Sequence, residues 1–462
     1  MNNDLLKNLL DELERPILRY NALDSIYYGT NQNGLLSQEI RKAMDDRIVR
    51  LSVGIPKLAV TSLAERLNVR GFKGVDIWPE WLRNDLDQLQ DVVHRESLCL
   101  GESYVIVWAD SKGRPKVSVE SAYTMAVIRD PGTREVTAAI KRWNGPDSTE
   151  ATVFTPQAVY RLRAQEKNAK TNTSFTVYET LDNPLGVVPV VVFTNSDRFA
   201  EHGVSEIDAL ADLCEGLNLA LANLALAQAD NAHRRQWATG VALEERVVVT
   251  IDDDGNAIPV LGDDGEPLMA ATNPIEPGIR SIVVEPADAK VGQLEGSNLG
   301  GFEAAVRIWI SAIQAVSALP ASALGILSNQ PTSADAERAA SAAIAARAEG
   351  RAATFGRSWE RVAKLIYCVL NPGANIDDVE ANVVWQDFST RSESQLADAT
   401  VKLVQADILP VSWALQKLGY SHDEILEIRQ ARRTEALDNQ GITLPRATAP
   451  NASTGQSEAI AA

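Results

Sequence analysis

Cysteine and histidine are scarce in this sequence of 462 residues, which has three cysteines and four histidines. Cys99, Cys214 and Cys368 are odd in number and lie far apart, so neither a disulfide framework nor a zinc site is expected, and a reducing cytosol fits. The histidines form no H-E-x-x-H motif and no paired spacing. His94 lies within a helical pattern, which favours a packed or surface histidine over a ligand or a base.

The sequence also lacks the common motifs of nucleotide-driven motors and serine hydrolases. It contains neither G-x-x-x-x-G-K-[ST] nor G-x-S-x-G. The acidic run 252–255 resembles part of a calcium loop, but Thr250 takes the first ligand position and Leu261 takes the twelfth, where a glutamate is needed. These absences leave an enzyme without support rather than excluding one. We predict a non-enzymatic protein without cofactor or metal.

Long apolar runs and excess positive charge are missing as well. The N-terminus lacks the basic and apolar regions of a signal peptide. The most apolar stretch, Leu217–Ala229, is interrupted by Asn218, Asn223 and Gln228, so no membrane span is expected. The net charge of -18 argues against tight nucleic-acid binding by the whole surface, although it permits a protein that handles DNA without gripping it.

Composition and periodicity predict an α+β protein that is mainly helical. An apolar fraction of 45% and a charged fraction of 23% are typical of a soluble globular protein, and the length predicts two to four domains. Helical patterns occupy residues 4–28, about 36–56, 58–67 and about 78–100. Strand-like runs separated by turn signals follow from Ser103 to Phe193 and predict an antiparallel β meander.

Two apolar helices then flank a small β insert. Ser205 is suited to cap the first helix, whose apolar residues recur at alternating spacings of three and four from Ile207 to Gln228. The insert, 241–300, contains short strand-like runs at 247–251, 258–261 and 279–284, with Asp/Gly hairpin turns. The second helix follows from residue 301 and ends at Pro320.

An uncharged segment and a long alanine-rich helix come next. Residues 320–332 contain no Asp, Glu, Lys or Arg. Alanine, the best helix former, supplies eleven of the twenty residues from Ala334 to Ala353, and Pro372 with Gly373 ends the predicted helix. Short helices and an Ala/Thr/Ser/Pro-rich tail, predicted to be disordered, complete the chain.

This order of elements, together with three local phrases, resembles phage portal (head–tail connector) proteins of the siphophage type. The phrases are Leu63–Phe72 (LAERLNVRGF), Gly101–Val107 (GESYVIV), and Gly186–Phe193 (GVVPVVVF) followed by Gly203–Ile207 (GVSEI). The similarity covers roughly residues 20–437, and order and spacing carry it, because each phrase alone has low specificity.

The resemblance implies a domain organisation. The expected parts are a wing (1–204), stem helix 1 (205–240), a β-containing clip (241–300), stem helix 2 (301–319), a tunnel loop (320–332), a long wing helix (333–372), a helical crown (373–440) and a disordered tail (441–462).

The resemblance also implies a function. The expected assembly is a twelve-fold ring at one capsid vertex, through which double-stranded DNA passes without sequence recognition during genome packaging and ejection. The expected partners are the large terminase subunit, which carries the ATPase, a head–tail adaptor, and the major capsid and scaffolding proteins. The expected location is the virion, with assembly in the host cytoplasm and no membrane.

Three sets of site residues follow from this assignment. The DNA-facing set in the tunnel loop is Ser322, Leu324, Ile326, Ser328, Asn329 and Gln330. The stem-packing set is Leu217, Leu221, Leu224, Trp309 and Ile313. The clip-docking set is Asp253, Asp254, Asp263 and Asp264. Because the loop is uncharged, we expect steric confinement of DNA rather than grip, with an ordinary linker as the alternative.

Two other functions stay open at this point. Another ring-forming head–tail adaptor would share the structural class, although the β insert between two helices favours a portal. A nuclease or protease fused to a phage structural protein is the alternative from a different class. A nuclease should show clustered carboxylates for metal binding, and the sequence offers no such set.

Overall fold

The computed structural model describes residues 2–30, 52–196, 198, 202–232, 236–239, 244–251, 257–262, 265–272, 290–293, 299–325, 334–388, 393–418 and 422–439. The chain divides into two compact units, Met1–Phe388 and Ser389–Ala462. Several predictions fall outside the described residues: most of the helix expected between Leu36 and Pro56, the strand Ile279–Val284, and the tail 441–462.

Short helices open the first unit. They are α1 (Asn3–Glu14), α2 (Ile17–Tyr27), α3 (Ile55–Ala64), α4 (Trp78–Arg83) and α5 (Leu86–Leu100). The Asn2 side chain caps α1 by accepting the backbone N–H of Asp4 at 2.9 Å. The single helix expected from Trp78 to Leu100 is wrong, because Asp85 adopts a left-handed conformation (φ 54°) that separates α4 from α5.

The predicted β meander forms two antiparallel sheets. A three-stranded sheet has the order β3-β2-β9, with β2 at Glu102–Ala109, β3 at Pro115–Ser121 and β9 at Val190–Thr194. A five-stranded sheet follows chain order, with β4 at Met125–Arg129, β5 at Val136–Asn144, β6 at Thr149–Phe154, β7 at Ala158–Ala164 and β8 at Thr176–Asp182. The chain therefore leaves the first sheet after β3 and returns to it with β9.

The described residues form two hydrophobic cores, and the five-stranded sheet contributes to both. The five-stranded sheet packs on α1, whose inner face is fully buried through Leu6, Leu9, Leu10 and Leu13. The three-stranded sheet belongs to the larger core, which also includes α3, α5 and the long helix α8 (Ala334–Leu370). Trp81 and Trp359 meet in this core edge to face, with ring centroids 4.9 Å apart.

The middle of the chain contains the two helices that are expected to form the stem, with the β insert between them. Stem helix 1 (α6) spans Ala211–Ala232, and stem helix 2 (α7) spans Gly300–Ser317. Between them the described residues form three nested antiparallel pairs. These are β10 (Gln236–Thr239) with β15 (Lys290–Gln293), β11 (Glu244–Val247) with β14 (Met269–Thr272), and β12 (Val249–Ile251) with β13 (Ala257–Pro259). The ladder of the insert thus begins at Gln236, inside the segment expected to be stem helix 1.

The boundary expected for the crown also shifts. Strand β16 (Asn382–Trp385) pairs with β1 (Val69–Lys73), and its residue Trp385 packs against the larger core. Residues 373–388 therefore belong to the first unit, whereas residues 389–440 of the expected crown belong to the second. The second unit contains α9 (Glu393–Gln405), α10 (Val411–Lys417) and α11 (His422–Asn439), as the sequence predicts.

Candidate assembly surfaces and the stem junction

The two stem helices pack against each other through a glycine and a tryptophan. A Cβ atom added to Gly216 would lie 2.6 Å from Cη2 of Trp309, so the indole ring fits only because residue 216 has no side chain. Leu217 and Ile313 are almost completely buried near this contact, at 1% and 0% exposure. The hairpin of helices is therefore held by a close approach within a single chain.

Other predicted stem-packing residues lie further out. Leu221 is half-buried against the larger core, and Leu224 is half-buried. An apolar groove of about 270 Å³ lies beside Leu221. Its remaining walls come from α3 and the chain before it, from α7, and from the segment after α7: Val53, Ile55, Leu58, Val306, Ile310 and Leu324.

A buried asparagine ties stem helix 1 to the wing. Asn218 is 3% exposed, and its Oδ1 accepts the backbone N–H of Val53 at 3.0 Å. Val53 lies just before α3, where its N–H has no helical partner. The asparagine that interrupts the apolar run therefore satisfies a backbone donor inside the protein.

The sequence predicts that stem helix 1 begins at Ser205, but the structure differs. Residues 206–210 form a turn, and the helix starts at Ala211. Ser205 Oγ does accept the N–H of Ile207 at 3.0 Å, as a capping residue would, but its hydroxyl also donates to the carbonyl of Cys99 at the end of α5. Because Ser205 also bonds to α5, the helix starts six residues later than predicted, and the segment before it is fixed to the wing.

Two glycines lie face to face at this entrance. A Cβ on Gly203 would lie 1.9 Å from the carbonyl oxygen of Gly101, and a Cβ on Gly101 would lie 2.5 Å from the carbonyl oxygen of Gly203. Gly101 also has a positive φ of 101°, which ends α5. The phrases GESYVIV and GVSEI, separated by about a hundred residues in sequence, meet here through their first residues.

A buried charge cluster connects both stem helices to the long helix. The Glu206 side chain is 9% exposed and lies 2.7 Å from Arg351 Nη2 and 3.7 Å from Arg347 Nη1. Arg347 also donates to the carbonyls of Val316 and Ser317, at 2.9 and 3.1 Å. We call these three residues, Glu206, Arg347 and Arg351, the stem junction, because they join the start of the first stem segment, the end of the second and the long helix.

The sequence gives only a partial signal for this junction. Glu206 attracts attention as an acidic residue in the first turn of a predicted helix. Arg347 and Arg351 are four residues apart and thus lie on one face of the alanine-rich helix. Their pairing with Glu206 depends on tertiary contacts that periodicity does not reveal.

Only part of the predicted tunnel and clip residues can be located. Ser322 and Leu324 lie in a short 3-10 turn, Ala321–Leu324. Ser322 is exposed, whereas Leu324 packs against the larger core and lines the apolar groove rather than an open surface. The predicted residues Ile326, Ser328, Asn329, Gln330, Asp253, Asp254, Asp263 and Asp264 lie outside the described residues.

Apolar side chains are exposed on the β insert and on stem helix 2. The insert exposes Val249, Ile258, Leu261 and Met269, which are 46–60% exposed. Stem helix 2 exposes Ile308 at 70% on a face that also carries Ala304 and Ser311. Apolar surface of this kind on adjacent elements is typical of an interaction surface.

His94, Cys99 and Cys214 have buried side chains. His94 is fully buried, accepts Trp359 Nε1–H at 2.8 Å on Nε2, and stacks on Phe355. Burial lowers the pKa of His94 to about 3, so its ring is neutral. Burial raises the pKa of Cys99 to about 12 and that of Cys214 to about 11, which keeps both thiols protonated.

Within the described residues, the His, Cys, Asp and Glu side chains form no group of three or more that could hold a metal ion. None of the helices described is both long enough and apolar enough to cross a membrane.

A sequence profile of the family described as "Phage portal protein, SPP1 Gp6-like" matches residues 6–440. The chain belongs to this family of phage portal proteins, which are structural proteins. It is similar to the portal protein of Mycobacterium phage L5, with 27% identity over 416 residues, covering 84% of this chain and 80% of that protein. It is equally similar to the portal protein of Mycobacterium phage D29, with 28% identity over 418 residues and the same coverage.

Among solved structures, the chain is similar to one in the neck of a native gene transfer agent (GTA) particle computed with C12 symmetry. The TM-score is 0.42 and the identity 13%, over 83% of this chain and 94% of that chain. A chain in the neck of an empty GTA particle computed with C6 symmetry gives a TM-score of 0.43 and 12% identity, with the same coverage.

Proposed function

We propose that this portal family member assembles into a closed ring of identical subunits, about twelve as the family resemblance implies, at one vertex of a phage capsid. Double-stranded DNA passes through the ring during packaging and ejection. The ring belongs to the virion and forms in the host cytoplasm. It carries no catalytic site of its own, and the large terminase subunit supplies the motor.

The apolar surface of the β insert carries this proposal. Isolated two-stranded ribbons are at best marginally stable in water, and three or more strands with a covered face are needed for independent stability. The strands described in the insert form two-stranded pairs, which expose Val249, Ile258, Leu261 and Met269. In a ring, the insert of each subunit lies beside that of the next, and the neighbours cover these side chains.

Stem helix 2 supports the same arrangement. Its outer face combines Ile308 with the small residues Ala304, Ser311 and Ala315, all exposed. Small side chains allow another helix to approach closely. In the ring this face receives the stem of the adjacent subunit, while Leu217 and Ile313 hold the hairpin of each subunit together.

The passage of DNA is steric in this proposal. Cationic contacts with phosphate dominate nucleic-acid affinity, and a channel with many such contacts at its narrowest point would retain the DNA. Residues 320–332 lack charged side chains, and the net charge is -18 per chain. The segment acts as an uncharged collar, and the acidic turns of the insert dock the terminase and, later, the head–tail adaptor.

Electron microscopy of the purified protein tests the ring. Annular particles with a central hole are expected. The variant Ile308→Asp places a charge on the outer stem face without touching the core of the subunit, so folded particles smaller than rings are expected from it. Arg307→Gln, on the same exposed face, is the control and should leave the rings intact. Compact monomers from the unaltered chain, or intact rings from Ile308→Asp, would contradict the proposal.

A filter-binding assay tests the collar separately. Unaltered rings should retain little duplex DNA at moderate salt. Arginines at both Ser328 and Asn329 should increase retention and make it fall steeply with salt, because each neutralised phosphate adds to the salt dependence. Tight, salt-sensitive binding by unaltered rings that is lost when this segment is changed would contradict steric passage.

A further inference from the structure

A basic groove lies on the wing, away from the stem helices and the β insert. It has a volume of about 610 Å³ and runs between one face of the long helix and the strands of the two sheets. The long helix contributes Arg357, Arg361 and Lys364, which are spaced by four and three residues and therefore share that face. We call this the wing groove.

These three cations have no acidic partner among the described residues. Arg129, which also lines the groove, is already engaged with Glu102 and with Thr194 Oγ1, at 3.3 and 2.9 Å. The groove contains carboxylates too, at Glu135, Glu360 and Asp377. Glu360 is occupied by the backbone N–H of Val383, at 3.3 Å. The net charge of the chain is -18, yet these three neighbouring cations have no acidic partner in the described part of the chain. Such a local positive charge suits an anionic partner.

The floor of the groove is apolar. Half-buried Val136, Val187, Val192 and Ile376 line it beside the basic wall. A duplex nucleic acid presents mainly phosphates and sugars at its surface, which would leave aliphatic side chains largely uncovered. The combination of aliphatic floor and cationic wall matches a peptide that carries both carboxylates and apolar side chains.

Spacing indicates the conformation of that peptide. At a rise of 1.5 Å per residue, Arg357 and Arg361 are separated by about 6 Å along the helix axis, and Lys364 follows after about 4.5 Å. Alternate residues of an extended chain are separated by about 6.6 Å and point to the same side. Alternating acidic and apolar residues would place carboxylates on the wall and apolar side chains on the floor.

The peptide is recognised through side chains rather than by adding a strand to the sheet. Strand β9 is at the edge of its sheet, but the carbonyl of Val192 already accepts the Ser358 hydroxyl at 2.8 Å. Val190, the next residue on that edge, is 1% exposed. We infer that the wing groove binds an extended segment of a partner protein in which acidic and apolar residues alternate.

Fluorescence anisotropy with the full chain tests this inference. The probe is a labelled peptide of alternating glutamate and valine. Replacing Arg357, Arg361 and Lys364 by glutamine should weaken its binding about tenfold, the effect of losing three partly exposed charge pairs. The control replaces Lys112, Arg114 and Lys116, three exposed cations of the β2–β3 hairpin outside the groove, and should leave the affinity unchanged.

Two further probes define what would overturn the inference. A glutamate–serine peptide of equal charge should bind more weakly than the glutamate–valine peptide, because it leaves the aliphatic floor uncovered. Equal binding of the two peptides, equal effects of the two triple variants, or no binding at all would overturn it. The inference would also be overturned if an oligonucleotide bound more tightly than the glutamate–valine peptide and this binding were lost in the triple variant of the groove. The groove is separate from the proposed ring contacts, so failure here leaves the ring proposal untouched.

Discussion

The backbones of Gly101 and Gly203 are in direct contact, and this contact fixes the entrance to the stem against the beginning of strand β2. The neighbouring hydrogen bonds reinforce it, since the N–H of Asn195 donates to the carbonyl of Gly101 at 2.8 Å and the N–H of Val204 donates to the carbonyl of Asn195 at 2.7 Å. No side chain fits between the two glycines. The position of the stem relative to the wing thus depends on the absence of two Cβ atoms.

Gly203→Ala should be strongly destabilising. The added methyl group would lie 1.9 Å from a backbone oxygen, and backbone cannot move aside as a flexible side chain can. We expect a loss of more than about 3 kcal/mol in the free energy of unfolding. Urea denaturation measures it. Gly71→Ala is the control, because a Cβ at that position has nothing within 4 Å, and a similar loss there would contradict the explanation.

Gly216→Ala should loosen the stem hairpin. Its Cβ would lie 2.6 Å from the Trp309 ring, which would have to rotate or shift. Overpacking of this kind costs about 1–3 kcal/mol, and the near-ultraviolet circular dichroism of tryptophan should change.

Gly350→Ala should instead raise the free energy of unfolding. It is exposed in the interior of the long helix with free space around it, so alanine should stabilise by about 0.5–1 kcal/mol.

Glu206→Gln should weaken the stem junction. The substitution keeps the shape of the side chain but removes the negative charge beside Arg351, whose side chain is 16% exposed. We expect a loss of about 2 kcal/mol, together with faster hydrogen exchange at the start of stem helix 1. Glu303→Gln removes an exposed pair with Arg307, in which both side chains are more than 70% exposed, and should cost less than about 0.5 kcal/mol. Equal losses would show that the junction contributes no more than a surface pair.

His94 should make stability depend on pH below neutrality. Burial lowers its pKa in the folded state to about 3, below its ordinary value of 6.5, so the unfolded state binds more protons between these two values. Stability should therefore fall as the pH falls below about 6.5, by about 2 kcal/mol at pH 5 from this group. The decline levels off only near the folded pKa.

His94→Gln isolates this contribution. Glutamine can still accept the Trp359 N–H but does not titrate, so the slope between pH 6.5 and 5 should disappear even if stability at pH 7 is lower. His202→Gln is the matched control, because the side chain of His202 is 37% exposed, whereas that of His94 is fully buried. If the stability of His94→Gln still falls between pH 6.5 and 5, other groups cause the pH dependence.

Element types were predictable from the sequence because they depend on local periodicity. Stem helix 2 and the long helix occur close to the expected bounds, whereas stem helix 1 is shorter than expected at both ends. Errors arose where a tertiary contact overrode a local signal. Ser205 has the chemistry of a helix cap, but its bond to the carbonyl of Cys99 belongs to another element. Strand β9 was expected to continue a meander, but it pairs with β2 at the edge of the first sheet.

The candidate assembly surfaces were less predictable than the fold. Leu217 and Ile313, which were expected to pack in the stem, are buried, but sequence spacing does not distinguish packing within a subunit from packing between subunits. The contact of Gly216 with Trp309, and that of Glu206 with the two arginines, join residues about 90 to 145 positions apart. The three cations of the wing groove share a local pattern in the sequence, but their significance depends on the valines that line the groove.

The packing of α1 on the five-stranded sheet affects folding during synthesis. The first fourteen residues leave the ribosome before any strand of that sheet exists, and the last strand ends at Asp182. At about 5–20 residues per second, the helix waits on the order of ten seconds for its partner. Throughout this time Leu6, Leu9, Leu10 and Leu13 have no partner in the sheet. The nascent chain therefore presents an amphipathic segment that molecular chaperones can bind, and the completed sheet must displace them.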